Sequence, residues 1–234
     1  MKNLNILLVV IGAFLLISNF YVIHDFGLLE SRLLRILGTF ILFCIFLLRA
    51  KRNEPFLIIG FILLLASDFL LLKYELPWVK KFTFILVILA YLSLIQHIRP
   101  YIRNLEANLF QKGLFLGVLG INIVMLYLLI DMADTKWDDS WHILLFFIYG
   151  MSMIAMVILG FSYSNRYSNK SSFYFLWAVL GFVISDISGF MSYYLNVEEF
   201  FYPDRMFYII GLLCLVKFSR MDKNKDMLES YKFL

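Results

Sequence analysis

The sequence predicts an all-α, polytopic membrane protein of about eight transmembrane helices, and three observations carry that prediction. The chain is 62% hydrophobic with a mean hydropathy of +0.83, and only 16% of its 234 residues are charged. A soluble domain of this length is nearer half apolar and a quarter charged. Its apolar residues also gather into runs approaching the ~20 that cross a ~30 Å hydrocarbon core. Finally, no linker, low-complexity tract or soluble domain separates those runs.

Each run is justified in turn. Leu4–Ile23 follows a single basic residue, Lys2, and no A-x-A-like cleavage site trails it, so it reads as a retained first helix. Leu33–Leu48 is a rather short second span, and Phe56–Leu72 a third that holds the pair Ser67-Asp68. Phe82–Ile98, Gly113–Ile130 and Ile143–Tyr163 follow as spans four to six. Ser172–Leu195 is the seventh and holds a second pair, Ser185-Asp186. The eighth, Met206–Phe218, is again short, and an earlier start near Phe200 would put Pro203 in its first turn. Residues 1–220 thus read as one helical membrane domain and 221–234 as a short charged cytoplasmic tail.

Charge sets the orientation. With a cytoplasmic N-terminus, the inner connections hold twice as many Lys and Arg as the outer ones, in the sense of the positive-inside rule. The outer connections hold acidic residues together with Trp78, Trp137 and Trp141, as an interfacial aromatic belt does. The expected location is a bacterial inner membrane, multi-pass, with both termini cytoplasmic. Arg32, Arg35 and Arg205 count in this scheme as charges of the outer side, and Arg205 reads as a topological or snorkelling residue.

Several function classes fall away. The net charge of +4 is a topological signal, and no basic stripe exists for nucleic acid. Cys44 and Cys214 lie within spans as small apolar fillers, without disulfide or metal spacing. His24, His97 and His142 sit at span ends, and none pairs with another ligand at i,i+4, so neither metal nor other cofactor is expected. Nucleophile-elbow, zincin and phosphate-loop motifs are absent from the sequence. No protein partner follows from it either, and no oligomeric state.

What remains are the two Ser-Asp pairs. A carboxylate at bilayer depth costs about 2.5–3.5 kcal/mol on an insertion scale, and such residues face a bundle interior or a wet cavity. Helix rise places both acids somewhat past the midplane, toward the outer side, on helices that run the same way. If they share a cavity, desolvation and mutual repulsion separate their protonation states, so that one serves as general acid while the other stays ionised. That suits hydrolysis through an oxocarbenium-like state. Two other readings stay open: a structural polar lock, and an ion or proton pathway. Ser67 and Ser185 could orient the carboxyls or bond one turn back. Asn19, Asn122, Tyr91, Tyr149 and Tyr208 are the further candidates for a cavity lining, although Asn in a span is also interhelical glue. The four-helix offset between spans three and seven, and between Asn19 and Asn122, allows a parallel four-plus-four repeat.

The order of these residues resembles the YhhN-like family of membrane proteins, whose characterised members are lysoplasmalogenases. Trp177 to Asp186 is similar to the family's seventh-helix motif, with Phe182 four residues before the acid and Ser185 directly before it. Tyr149 and Met156 match the sixth helix, and Asp68 falls where the family has its first acid. Ser67 stands where Gly is usual. The fourth-helix His-x-x-Tyr has no clean counterpart, Tyr91 taking the matching place, and Ile209-Ile210-Gly211 follows Tyr208 in place of Ala-Gln. The resemblance implies hydrolysis of the vinyl ether bond of a lysophospholipid, giving a fatty aldehyde and a glycerophospho-alcohol. Asp68 and Asp186 would carry it jointly, with a membrane ether lipid as substrate. The alternative is a transporter or lipid-binding protein whose two acids hold a proton, a cation or a head group.

Overall fold

A computed structural model describes residues 2–48, 54–102, 109–133 and 137–220. The expected tail 221–234, and the basic residues Arg49, Lys51, Arg52, Arg103 and Lys136 that entered the topological argument, lie outside the described residues. Eight α-helices follow in order: α1 Lys2–Asp25, α2 Leu28–Leu47, α3 Pro55–Leu71, α4 Pro77–Ile102, α5 Leu109–Met132, α6 Ser140–Tyr167, α7 Lys170–Tyr194 and α8 Phe201–Ser219. A 3-10 turn, Glu198–Phe200, leads into α8.

Local chemistry explains where these helices start and stop. Pro55 and Pro77 open α3 and α4, where a missing N–H costs nothing. Asp139 caps α6 by accepting the His142 N–H at 2.9 Å. Asn169 and Ser172 form a reciprocal capping box at the start of α7, with the Ser172 N–H 2.8 Å from the Asn169 side chain. Ser168, in the left-handed region at φ 45°, ends α6.

Among the described residues, four helices (α1, α4, α6 and α7) are long and apolar enough to cross a membrane, and the apolar helix α3 is shorter. The sequence runs behind α2 and α8 were short for a reason. Glu30, Arg32 and Arg35 occupy the first half of α2, and Asp204, Arg205 and Lys217 sit on α8. Both are full helices of 20 and 19 residues: α2 begins at Leu28, ahead of the expected Leu33, and α8 at Phe201, beside the earlier start near Phe200. Large apolar side chains such as Val10, Phe14, Ile17, Phe40 and Leu116 stay exposed, as a lipid-facing surface requires. Trp78 and Trp141 are exposed at the end of the bundle that carries Asp138, Asp139, Glu198 and Glu199, called the acidic end below.

Packing follows a pattern of halves. α3 lies along α4 as α7 lies along α8, α1 meets α2 as α5 meets α6, and α2 meets α3 as α6 meets α7. Across the halves, α8 packs on α2 and α4 packs on α6. Each of these contacts maps onto its counterpart when every helix is shifted by four, which is the packing of a parallel four-plus-four repeat. α1 also packs along α8, a contact that α5 does not match to the same extent with α4. The closest approach is between α7 and α8. A Cβ at Gly181 would sit 2.9 Å from both the Gly211 Cα and the Phe207 carbonyl, so only hydrogen fits. Two buried apolar clusters fill the interior. One is built around Phe46, Phe61, Leu94, Met156, Phe175 and Phe182, the other, toward the acidic end, around Tyr74, Phe84, Phe146, Phe190 and Tyr194.

Candidate functional site

Charged and phenolic groups from six helices meet where the two apolar clusters adjoin. Arg35 and Thr39, one turn apart on α2, both point at Asp68 of α3. Arg35 Nε donates to Asp68 Oδ1 at 2.7 Å, and Thr39 Oγ1 donates to Oδ2 at 2.6 Å. Tyr208 of α8 donates to the same Oδ2 at 2.8 Å. Asp68 is thereby saturated with donors, as a buried carboxylate must be.

Arg35 is shared. Its Nη1 reaches Asp204 Oδ1 of α8 at 3.0 Å, so one guanidinium bridges two buried acids with its planar fork. Asp204 also accepts from Ser185 Oγ at 2.6 Å and from Arg205 Nη1. Its place in the first turn of α8 puts it near the positive end of that helix. Arg205 is fully buried, with Nε 3.3 Å from Ser31 Oγ. The expectation of a snorkelling or merely topological Arg205 is therefore corrected: a carboxylate at i−1 and a hydroxyl from α2 hold it inward.

Asp186 of α7 has different company. Tyr91 of α4 donates to its Oδ2, and Tyr149 of α6 also interacts with it. The Tyr91 and Tyr149 rings stack with centroids 6.2 Å apart. The two expected acids thus obey the pattern of halves. Asp68 on α3 takes a phenol from α8, and Asp186 on α7 takes one from α4, its counterpart.

A cavity of about 80 Å³ opens beside this cluster. Asp186, Asp204, Arg35, Ser67, Ser185 and Tyr149 supply its polar wall, and Phe84, Phe146 and Phe190 its apolar one. Asp68 lies behind Arg35 and does not line it. Toward the acidic end, Tyr74, Tyr193 and Tyr194 are shared with a wider groove of about 340 Å³ that carries Arg32, Glu75 and Lys80. Arg32 Nη1 holds Glu75 at 2.7 Å. Partial burial pushes the Glu75 carboxyl up, but a backbone hydrogen bond and Arg32 outweigh it, leaving the group below its ordinary range.

The remaining expected residues divide. Ser67 lines the cavity but donates to the Leu64 carbonyl at 2.7 Å, one turn back, and Ser185 serves Asp204 rather than Asp186. Asn19 donates to its own Leu15 carbonyl at 2.8 Å. Its side chain faces a separate recess of about 10 Å³ beside Thr39, Arg205 and Tyr208. Asn122 rides on α5, which packs chiefly on α6, and does not line the cavity.

A family model, the YhhN family, matches residues 31–216. The chain belongs to the YhhN family. No curated protein and no solved structure matches it. The YhhN match takes in Arg35, Asp68, Asp186, Asp204 and Arg205, so the whole charged cluster lies in the family portion. Asn19 and the whole of α1 lie before it.

Sequence reasoning missed Arg35, Thr39 and Asp204 as site residues, and gave Arg205 a topological or snorkelling role over contact with a phosphate. Signals for them existed. Arg35 already fell inside the second apolar run, and an ionisable residue there is itself a site candidate. The start of the last helix near Phe200, with Pro203 in its first turn, already places Asp204 and Arg205 within that helix. Thr39 offered no signal of its own beyond sitting four residues after Arg35.

Proposed function

We propose that this YhhN-family protein is a membrane-embedded hydrolase of the lysoplasmalogenase type. It cleaves the vinyl ether of a lysophospholipid into a fatty aldehyde and a glycerophospho-alcohol. The observation that carries this reading is that acids of two kinds surround one cavity. Asp186 is held by phenols, whereas Asp68 and Asp204 share Arg35. A carboxyl buried in an apolar wall is suited to carry and give a proton, and the arginine-held Asp204 to fix the opposite polar wall.

In this mechanism Asp186 protonates the β-carbon of the enol ether. The oxocarbenium ion so formed is stabilised by the carboxylate that Asp186 becomes, with Asp204 at the wall and Asp68 holding Arg35 in place. Water adds to the cationic carbon and returns a proton to Asp186, and the hemiacetal collapses to aldehyde and alcohol. No net proton is consumed. Ser185 and Tyr149 orient the two cavity carboxyls, and Phe84, Phe146 and Phe190 accommodate the alkenyl chain.

The protein would be multi-pass in a bacterial inner membrane, with the acidic end outside and both termini cytoplasmic. Purified protein in detergent, given a vinyl-ether lysolipid, should release aldehyde. Release should fall by roughly 100-fold or more in Asp186→Asn. A wild-type protein that releases none sinks the hydrolase reading for that lipid. The packing by halves favours one second reading, a transporter in which the acids bind a proton or cation. Uptake into proteoliposomes, lost in Asp186→Asn, would decide for it.

A further inference from the structure

His142, an isolated histidine in the sequence, is fully buried at the start of α6 and bonded at both ring nitrogens. Its Nδ1 lies 3.1 Å from Asp138 Oδ2 in the connection before α6 and accepts the Asp138 backbone N–H at 3.5 Å. Its Nε2 lies 3.0 Å from the Tyr194 hydroxyl of α7, which lies 3.2 Å from the Tyr74 hydroxyl. Asp138 is part exposed at the acidic end, while Tyr74 and Tyr194 line the cavity that holds Asp186. Four groups therefore form an unbroken hydrogen-bonded line from the surface to the cavity.

We infer that Asp138, His142, Tyr194 and Tyr74 form a proton relay that equilibrates the cavity carboxyls with water at the acidic end of the bundle. The chemistry of each link permits it. Asp138 takes a proton from water and passes it to Nδ1, and His142 releases the proton on Nε2 to the Tyr194 oxygen. Each tyrosine accepts one proton as it gives up its own, so no tyrosinate accumulates and the charge that enters is the charge delivered. A cavity of about 80 Å³ has room for more than one water, each needing only about 10–15 Å³, to span the step from the phenols to Asp186.

The surroundings of His142 fit a conduit. The Trp137 ring packs against both His142 and Tyr194, with centroids 5.1 Å away in each case, and Phe84 covers another side. These rings shield the His142 link from water, while the two tyrosines border both the cavity and the groove. The charged and titratable groups facing His142 are Asp138 and Asp139 from its own connection, Lys80 from α4 and Tyr194 from α7. Lys80 also holds Asp138, at 3.3 Å, so the entrance acid is fixed in place. An arrangement meant only to anchor α6 to α7 would not need its line to end at a carboxyl-bearing cavity.

The relay rests on the proposed role of Asp186 as the group that exchanges protons, and its test does not depend on substrate. Protein in lipid nanodiscs is given a rapid pH jump while the carboxyl C=O stretch is followed by infrared spectroscopy. The Asp186 band is assigned by its loss in Asp186→Asn. In His142→Phe, which keeps a ring but removes both bonds, the response of that band should slow roughly tenfold or more. Tyr194→Phe should slow it likewise, and serves where His142→Phe fails to fold. An unchanged rate in a folded variant, or an Asp186 band that never responds to pH, overturns the relay. Where wild type releases aldehyde, His142→Phe should lower kcat at constant KM, and added imidazole should restore it. A slowed infrared response in a protein that releases no aldehyde leaves the relay standing and defeats the hydrolase reading alone.

Discussion

The Arg35 guanidinium lies over the face of the Tyr208 ring, 3.8 Å from its centroid, while the hydroxyl of that ring donates to the Asp68 that Arg35 also holds. Cation, ring and carboxylate form a closed triangle, each side made by a different force. The ring face attracts the guanidinium, the guanidinium pairs with the carboxylate, and the carboxylate accepts from the phenol.

Arg35 should therefore be the least replaceable residue of the cluster. Arg35→Met leaves Asp68 and Asp204 buried without their shared cation and should cost about 3–5 kcal/mol. Arg35→Lys offers a point charge where a fork is needed and should recover only part of that. Thermal unfolding of the purified variants, followed by circular dichroism, measures both.

Tyr91→Phe and Tyr208→Phe remove equivalent phenols from Asp186 and Asp68. Each loses a hydrogen bond to a carboxyl, worth about 1.5–3 kcal/mol. Their effects on catalysis should differ, since Asp186 lines the cavity and Asp68 does not. Tyr91→Phe should lower kcat for aldehyde release by roughly tenfold or more, and Tyr208→Phe should act mainly on the melting temperature. Equal kinetic losses in the two variants would contradict this.

Gly181→Ala should destabilise the protein by about 1–3 kcal/mol, because its methyl meets the backbone of α8 rather than a side chain that can swing away. Gly117→Ala is the control. A Cβ there meets nothing within 4 Å, and the helix should gain up to about 1 kcal/mol. Melting temperatures of the two variants in the same detergent should move in opposite directions.

Stability should also carry a small acid-sensitive part at the acidic end. The folded protein holds Glu75 below its ordinary value near 4.5, so the stability from this group is present above that value and lost as pH falls through the lower folded one. Glu75 is two-thirds exposed, which keeps the effect small. Wild type and Glu75→Gln should differ in melting temperature at neutral pH and converge at low pH. A gap that widens on acidification would contradict the assigned Arg32 pairing.

Much of this was legible in the chain, and what was not has a physical cause. Apolar runs place helices well because the bilayer demands length and hydrophobicity, so the third and seventh spans and their acids emerged directly. The same criterion shortens α2 and α8, because the helices that supply the cations are the ones whose apolar runs are cut short. Arg35 was read as a topological charge when it is a structural one, for hydropathy cannot tell a charge facing lipid headgroups from one facing two carboxylates. Asp186 and Tyr91 were both named from the sequence, yet their contact joins helices far apart in the chain. The line from His142 to Tyr74 depends on two hydrogen bonds that no spacing rule connects.

The crossed phenols have a consequence for the chain as a whole. Tyr91, in the first four helices, completes the acid of the last four, and Tyr208 returns the favour to Asp68. A polypeptide severed between Ile102 and Leu109 would yield two pieces, each with a carboxyl lacking one of its donors and a phenol lacking its acceptor. In hydrocarbon neither group finds a substitute in solvent. Co-expressed halves thus have a chemical reason to reunite, and the site itself would be the clasp.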